Sequence, residues 1–262
     1  MIPEKLKTET PVLIAPGWGE TIETFRGSII SLANEGRRTL SIRHPRFGKI
    51  SQPPQESLSI YPKFEFTKAL NLLAVLKQKG ITKTDIVAHS EGAINAAIAA
   101  TMNSEQFRSL VLVAPGGIMP KQDTNEIIER LWLNLEESLK RATKDPKVSP
   151  YLIRSGIETA KYILQNPPRA LLEAIDALGK SDIVGMLKPL REQGIKVAII
   201  SGVDDPAVPM VGLQEITKRD QIDGFYSIKG SHHDIYTQPE KYMKVVDEVL
   251  TTLNKESSER QV

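Results

Sequence analysis

The chain has 262 residues, 40% of them hydrophobic and 25% charged, with a formal net charge of +2. That length is long for one ordinary domain and short for two, and it can bury a full core without staples. With no cysteine and nearly balanced charge, the sequence excludes a disulfide framework, a thiolate metal site and a cysteine nucleophile, and it carries no basic stripe for nucleic acid.

The start, MIPEKLKTET, lacks the apolar core of a signal peptide. No stretch approaches the roughly 18 consecutive apolar residues of a membrane span. A cytoplasmic location is the expectation, because the absence of cysteine fits a reducing compartment. From residue 11 onward short apolar runs alternate with helical patterns. PVLIAP (11–16) reads as a buried strand and TIETFRGSIISLANEG (21–36) as the helix after it. RTLSIRH (38–44) is a second strand, and FEFTKALNLLAVLKQKG (64–80) is a helix with Gly80 as its stop. DIVAH (85–89) is a third strand and leads into an alanine-rich helix. RSLVLVAP (108–115), KVAIISG (196–202) and GFYSIKG (224–230) complete six strands. Apolar, β-branched runs alternating with helices predict a mostly parallel sheet covered on both faces.

The rhythm breaks between the fourth and fifth strands. Residues 118–190 contain no good strand. Ile127, Ile128, Leu131, Trp132, Leu135 and Leu139 recur at helical spacing, and prolines 146, 150, 167 and 168 punctuate the segment. The expected organisation is a core of residues 1–117 and 191–262 with a helical insertion over 118–190. Plain packing helices and a lid over a site both fit that pattern.

The segment DIVAHSEGAINAAIAA (85–100) places Ser90 where a strand becomes a helix. A serine hydroxyl is a weak nucleophile until a base takes its proton and donors stabilise the oxyanion. A sharp strand-to-helix turn exposes the hydroxyl and aims the first free helix N–H groups at the same spot. Such a turn needs small flanks. Ala88 and Gly92 supply them, and Ala93, Ala96 and Ala97 let the helix approach the sheet. A serine N-cap on an ordinary helix is the plainer account of the same residues.

AHSEG resembles the nucleophile elbow of the α/β-hydrolase superfamily, G-x-S-x-G, with Ala88 in place of the first glycine. The resemblance implies an α/β-hydrolase fold, mostly parallel, with about six strands and a helical cap. It covers about residues 11 to 250, mostly as pattern. Only ten residues precede the first strand, where many members of the superfamily have an extra hairpin, so a trimmed sheet is expected. In the superfamily an acid and then a histidine follow the nucleophile. IISGVDDPAVP resembles its G-x-x-D-x-x-V-P loop. Aligned from Gly202 to Pro209, it offers Asp205 as the acid, with Asp204 as a neighbour that reads as a turn residue. IKGSHHDIYTQPEKY follows the sixth strand, and His232 and His233 compete there. The offset to Pro239 selects His232. Thr237 and Glu240 form a plausible capping box for the last helix. The implied roles are Ser90 as nucleophile, His232 as base and Asp205 as the group that orients it.

The same resemblance places the oxyanion donors at the backbone N–H of Glu91 and of Trp18, in APGWGE. Pro16 stands where the superfamily often has a histidine that braces this loop. His44 occupies the slot of a common aspartate and is assigned no catalytic role, and Arg46 reads as a loop arginine. Glu91 puts a carboxylate beside the nucleophile, either serving the helix dipole or repelling anionic substrates. Trp18, Met119, Trp132, Met186 and Leu187 are candidates to line a substrate pocket, though each type of residue packs more often than it binds.

The resulting expectation is a serine hydrolase of small to medium carboxylic esters or thioesters, with a small-molecule substrate, no cofactor and no metal. The four histidines do not cluster as ligands. Monomer and homodimer are both open. A weakly catalytic or non-catalytic binding module on the same fold is the reading from a different class. Perhydrolase or haloperoxidase-like side chemistry is a third.

Overall fold

The computed structural model describes all residues except 4, 45–55, 57–59, 119–123, 211, 212, 214, 215, 217–220 and 260–262. Six strands form one sheet: β1 (Thr8–Ala15), β2 (Arg37–Ser41), β3 (Thr84–His89), β4 (Phe107–Val113), β5 (Lys196–Gly202) and β6 (Gly224–Ile228). Their order is β2-β1-β3-β4-β5-β6, and every neighbouring pair is parallel. Each run that reads as a strand in the sequence is one, to within a few residues at its ends.

Alternate strand residues serve two separate cores, as the period of two requires. Leu13, Ile86, Ala88, Leu110, Leu112, Val197 and Ile199 face one side. There they meet α2 (Lys63–Gln78), α3 (Gly92–Met102) and α7 (Val184–Glu192). Val12, Ile14, Val87, Val111, Val113, Ala198 and Ile200 face the other. There they meet α1 (Arg26–Asn34) and α9 (Pro239–Glu259). Helix α1 starts later than the pattern from residue 21 suggests, because residues 22–25 form a turn ahead of it. Gly80 ends α2 region with a φ of +63°, a conformation that glycine adopts without steric cost.

Between β4 and β5 lie α4 (Thr124–Lys144), α5 (Ser149–Gln165), α6 (Pro167–Ile175), a π-helical turn (Asp176–Lys180) and then α7. The prolines act as boundaries. Pro150 sits in the first turn of α5, and Pro167 and Pro168 open α6 behind Asn166, whose side chain accepts from the Arg169 N–H. Helix α7 packs differently from the three before it. Ile183, Leu187 and Leu190 are buried in the first core. By packing, the segment that stands away from the sheet ends before α7, and Leu187 is a core residue.

The junction of β3 and α3 governs what lies above the sheet. Every residue of α3 from Gly92 to Ala100 is buried. A Cβ on Gly92 would lie 2.7 Å from the Pro16 carbonyl oxygen and nearer still to that of Ala15. The helix can therefore start this close to the end of β1 only with glycine there. Gly92→Ala is expected to destabilise the protein by about 3 kcal/mol or more, because backbone has to move to make room. Thermal unfolding of this variant beside the wild type would check it.

Candidate active site

Ser90 closes β3 in a left-handed conformation, with φ of +50°. That backbone costs a non-glycine residue ~1–3 kcal/mol. Hydrogen bonds hold it: Ser90 N–H donates to Val113 O at 3.1 Å, and Ser90 O accepts from Gly116 N at 2.9 Å and Ala93 N at 3.0 Å. The hydroxyl so presented meets His232, with Oγ 3.2 Å from Nε2. On the other side of the ring, Nδ1 lies 2.9 Å from Asp205 Oδ2.

Asp205 follows β5 and His232 follows β6, so the sheet brings both to its carboxyl edge beside Ser90. Gly202 allows the two loops to touch, since a Cβ there would collide with Gly230 O. Asp204 N–H donates to Gly230 O at 3.0 Å, which makes Asp204 the turn residue of the pair. Asp205 Oδ1 accepts from Ala207 N at 2.8 Å and Val208 N at 3.0 Å, so its carboxylate is held on both oxygens. Burial pushes Asp205 upward, but the His232 ring and these two N–H groups outweigh it and hold the carboxyl below its usual range. Burial pulls His232 down, yet Asp205, Glu20 and Glu137 outweigh it and raise the ring above 6.5. His233 faces away. Its ring lies 3.3 Å from Asn134 Nδ2 and 2.9 Å from Ser138 Oγ, both on α4. Burial and the neighbouring His232 push it well down.

The loop after β1 crosses above the end of β3. Among the described residues, the backbone N–H groups of Trp18 and Glu91 meet no acceptor. Pro16 leaves the usual brace of this loop absent, and Glu20 takes its place. Its Oε2 accepts from Gly17 N at 2.6 Å and lies 2.9 Å from His89 Nδ1. His89 Nε2 then reaches His232 O at 3.0 Å. The sequence reading missed this link. Glu20 and His89 are 69 positions apart, and only the sheet brings them together.

The second feature missed from the sequence is a buried ionic cluster. Lys68 Nζ lies 2.5 Å from Glu91 Oε1, 3.4 Å from Glu173 and 3.7 Å from Glu65. Arg169 adds 2.7 Å to Glu173. The Glu91 side chain therefore serves a lysine rather than the helix dipole, and its charge is matched before it can repel a substrate. Burial works against the Lys68 ammonium, but the neighbouring acidic groups, Glu91 foremost, outweigh it and raise its pKa. Burial and then Glu91 push Glu65 well above the carboxylate range, so this carboxyl keeps its proton. A cavity of about 20 Å3 lies here, lined by Gly17, Lys68, Glu91 and Glu173 together with Arg43 and His44. Burial, then Lys68, take His44 down to about 3, so the ring is neutral.

The proposed pocket residues are less united. The Trp18 indole donates to Ala170 O at 3.3 Å and meets Tyr162 edge-on at 5.7 Å, tying the β1 loop to α5 and α6. Trp132 is 66% exposed on α4, and Met186 packs on the first core. Met119 and Arg46 lie outside the described residues. Thr237 Oγ1 donates to Asp234 at 2.5 Å inside a short turn, α8 (Asp234–Thr237), and so does not form a capping box with Glu240.

The sequence profile of the alpha/beta hydrolase fold matches residues 10–161. More than half of the chain is covered, and the chain belongs to the α/β-hydrolase family and is an enzyme of that class. No curated protein sequence matches it. Among solved structures, a thermophilic esterase from Thermogutta terrifontis aligns with a TM-score of 0.69 and 17% identity, over 95% of this chain and 92% of that one. A bromoperoxidase from Bacillus anthracis aligns with a TM-score of 0.68 and 19% identity, over 95% and 94%. A hydrolase from Oleispira antarctica aligns with a TM-score of 0.67 and 15% identity, over 94% and 93%. At these identities the likeness is one of fold. Among the described residues no helix is long and apolar enough to cross a membrane.

Two outcomes follow from the charges. The His232–Asp205 pair contributes stability within a window: the His232 part is complete below 6.5 and is lost as pH rises through its higher folded-state value, and the Asp205 part is complete above 3.8 and is lost as pH falls through its lower folded-state value. An NMR titration of the His232 ring is expected to show its midpoint above 6.5, with the neutral ring appearing only on the alkaline side. Lys68→Met removes the one cation that faces Glu65, Glu91 and Glu173 together. It is expected to cost about 3–5 kcal/mol in a denaturant titration, because buried carboxylate charge is left without its partner.

Proposed function

We propose that this protein is a serine hydrolase that cleaves a carboxylic ester or thioester through an acyl-enzyme on Ser90. The observation that carries this reading is the chain Ser90 Oγ, His232 Nε2 at 3.2 Å, and Asp205 Oδ2 at 2.9 Å from Nδ1. Asp205 accepts the Nδ1 hydrogen and leaves Nε2 free to take the Ser90 proton. Oγ then bonds to the carbonyl carbon, and the carbonyl oxygen becomes an oxyanion. The N–H groups of Trp18 and Glu91 are its donors, at the start of α3 where the helix dipole adds to them. His232 returns the proton to the departing alcohol or thiol. Water repeats the sequence and frees the acid.

In this reading the insertion expected over residues 118–190, less α7, which packs in the first core, forms a cap over the carboxyl edge, and the cap sets substrate size. Contacts support it. Trp18 bonds Ala170, Thr21 Oγ1 donates to Glu158 at 3.3 Å, and Ser155 Oγ donates to Tyr236 at 3.1 Å.

A fluorophosphonate probe, read by intact mass and peptide mapping, tests the reading. One adduct on Ser90 is expected, absent in Ser90→Ala and His232→Ala and retained in His233→Ala. A panel of p-nitrophenyl esters of rising chain length then sizes the pocket. No adduct on folded protein would favour a binding module on this fold. Turnover that requires peroxide would favour perhydrolase chemistry.

A further inference from the structure

We propose that Glu20 and His89 are positioning residues, which fix the His232 main chain and the oxyanion loop in one mutual geometry. The proposal rests on the serine-hydrolase reading and extends it to two residues outside the triad.

The network is continuous. Gly17 N–H donates to Glu20 Oε2 at 2.6 Å, Oε2 lies 2.9 Å from His89 Nδ1, and His89 Nε2 lies 3.0 Å from His232 O. Gly17 precedes the oxyanion donor Trp18. His232 carries the base. His89 precedes the nucleophile. Thus one carboxylate and one imidazole join the main chain on both sides of the reacting carbonyl to the strand that presents Ser90.

Hydrogen-bond inventory gives the link its direction. A carbonyl oxygen can only accept, so His89 Nε2 must carry a hydrogen. His89 Nδ1 and Glu20 Oε2 share one hydrogen between them, which completes the network. Phe25 and Tyr236 flank that ring with centroids at 5.8 and 6.1 Å, and the His232 ring lies tilted against it at 4.9 Å, so the ring is held on several sides. His89 is fully buried. A buried polar ring with both nitrogens paired is rigid, and losing one partner leaves the other group unsatisfied.

The link also explains how the β1 loop tolerates Pro16. A proline offers no side-chain hydrogen bond, and the Glu20 carboxylate reaches back to Gly17 from three residues further along the loop's own turn.

Glu20 has a second effect, through charge. Asp205 from the β5 loop, Glu20 from the β1 loop and Glu137 from α4 all raise His232. His89 and His233 face the same ring. Arg141 of α4 is engaged with Asp234 and Glu137. Removing the Glu20 charge therefore lowers the pKa of His232, while Asp205 still holds the tautomer.

The test compares wild type with Glu20→Gln, His89→Gln and the double variant. Readouts are kcat and KM for p-nitrophenyl acetate, the pH profile of kcat/KM, and the melting temperature. Glu20→Gln keeps the shape and an acceptor for Gly17 N–H. We expect kcat to fall on the order of 10²-fold with KM changed little, as for a misplaced catalytic group. The acid limb of kcat/KM should move to lower pH. The double variant should lose no more than the worse single one, because both belong to one link. Lower melting temperature with unchanged kcat and unchanged acid limb would overturn the proposal, leaving a purely structural pair. Full additivity of the two losses would also overturn it. If Glu20→Gln does not fold, Glu20→Asp, which keeps the charge and shortens the reach, should lower kcat without moving the acid limb. A fluorophosphonate adduct on wild-type Ser90 separates the two readings. With no adduct the hydrolase reading fails. With an adduct and unaffected variants only the positioning role fails.

Discussion

The close approach of Gly92 to the carbonyl oxygens of Ala15 and Pro16 sets the geometry above the sheet. It brings the first turn of α3 against the end of β1. The residue before that turn, Ser90, must then turn sharply and take φ of +50°. Such strain persists only where the surroundings over-determine it. Three backbone hydrogen bonds from β4, the following loop and α3 do so. Packing of an alanine-rich helix and exposure of a hydroxyl are thus one event. The small residues that let α3 bury nine consecutive positions, from Gly92 to Ala100, also create the tight turn.

Around that turn the fold gathers an unusual amount of buried charge. Isolated ions in an apolar interior are costly, and each here is matched. Lys68 answers Glu91 and Glu173, with Arg169 behind them. Glu65 avoids the cost by keeping its proton. Asp205 is satisfied by His232 and two N–H groups, and Arg141 answers Asp234. Some pairs join elements that the hydrophobic cores do not: Lys68 ties α2 to α6 through Glu173, and Arg141 ties α4 to α8 through Asp234. Charge pairing of this kind contributes orientation more than stability, since apolar replacements of equal volume are often no less stable.

Much of the fold was legible in the sequence because its signals are local. A buried parallel strand needs a run of apolar residues, and six runs mark six strands. A strand-to-helix turn needs small flanks, and AHSEG shows them in five letters. The acid loop and the histidine loop were readable by offsets from Gly202 and Pro239, and the structure brings Asp205 and His232 together beside Ser90. The pocket residues were not readable in the same way. Trp132 and Met186 have the right type and spacing for a lining, yet one is exposed and the other packs on the core. Hydrophobic spacing tells which face of a helix is apolar and not what it faces.

By itself the sequence determined the six strands, the helices between them and the turn that presents Ser90. Each depends on residues within a few positions of one another, where backbone sterics and side-chain period act directly. Only the tertiary structure decided the partners: Glu20 with His89, Lys68 with Glu91 and Glu173, and His233 with α4 rather than with Ser90. These are contacts between chain segments 23 to 105 positions apart, made by the order β2-β1-β3-β4-β5-β6 and by the seat of the insertion on its carboxyl edge. A glutamate or lysine has the same local signature whether it meets solvent or a buried ion, so nothing short of the folded arrangement distinguishes them.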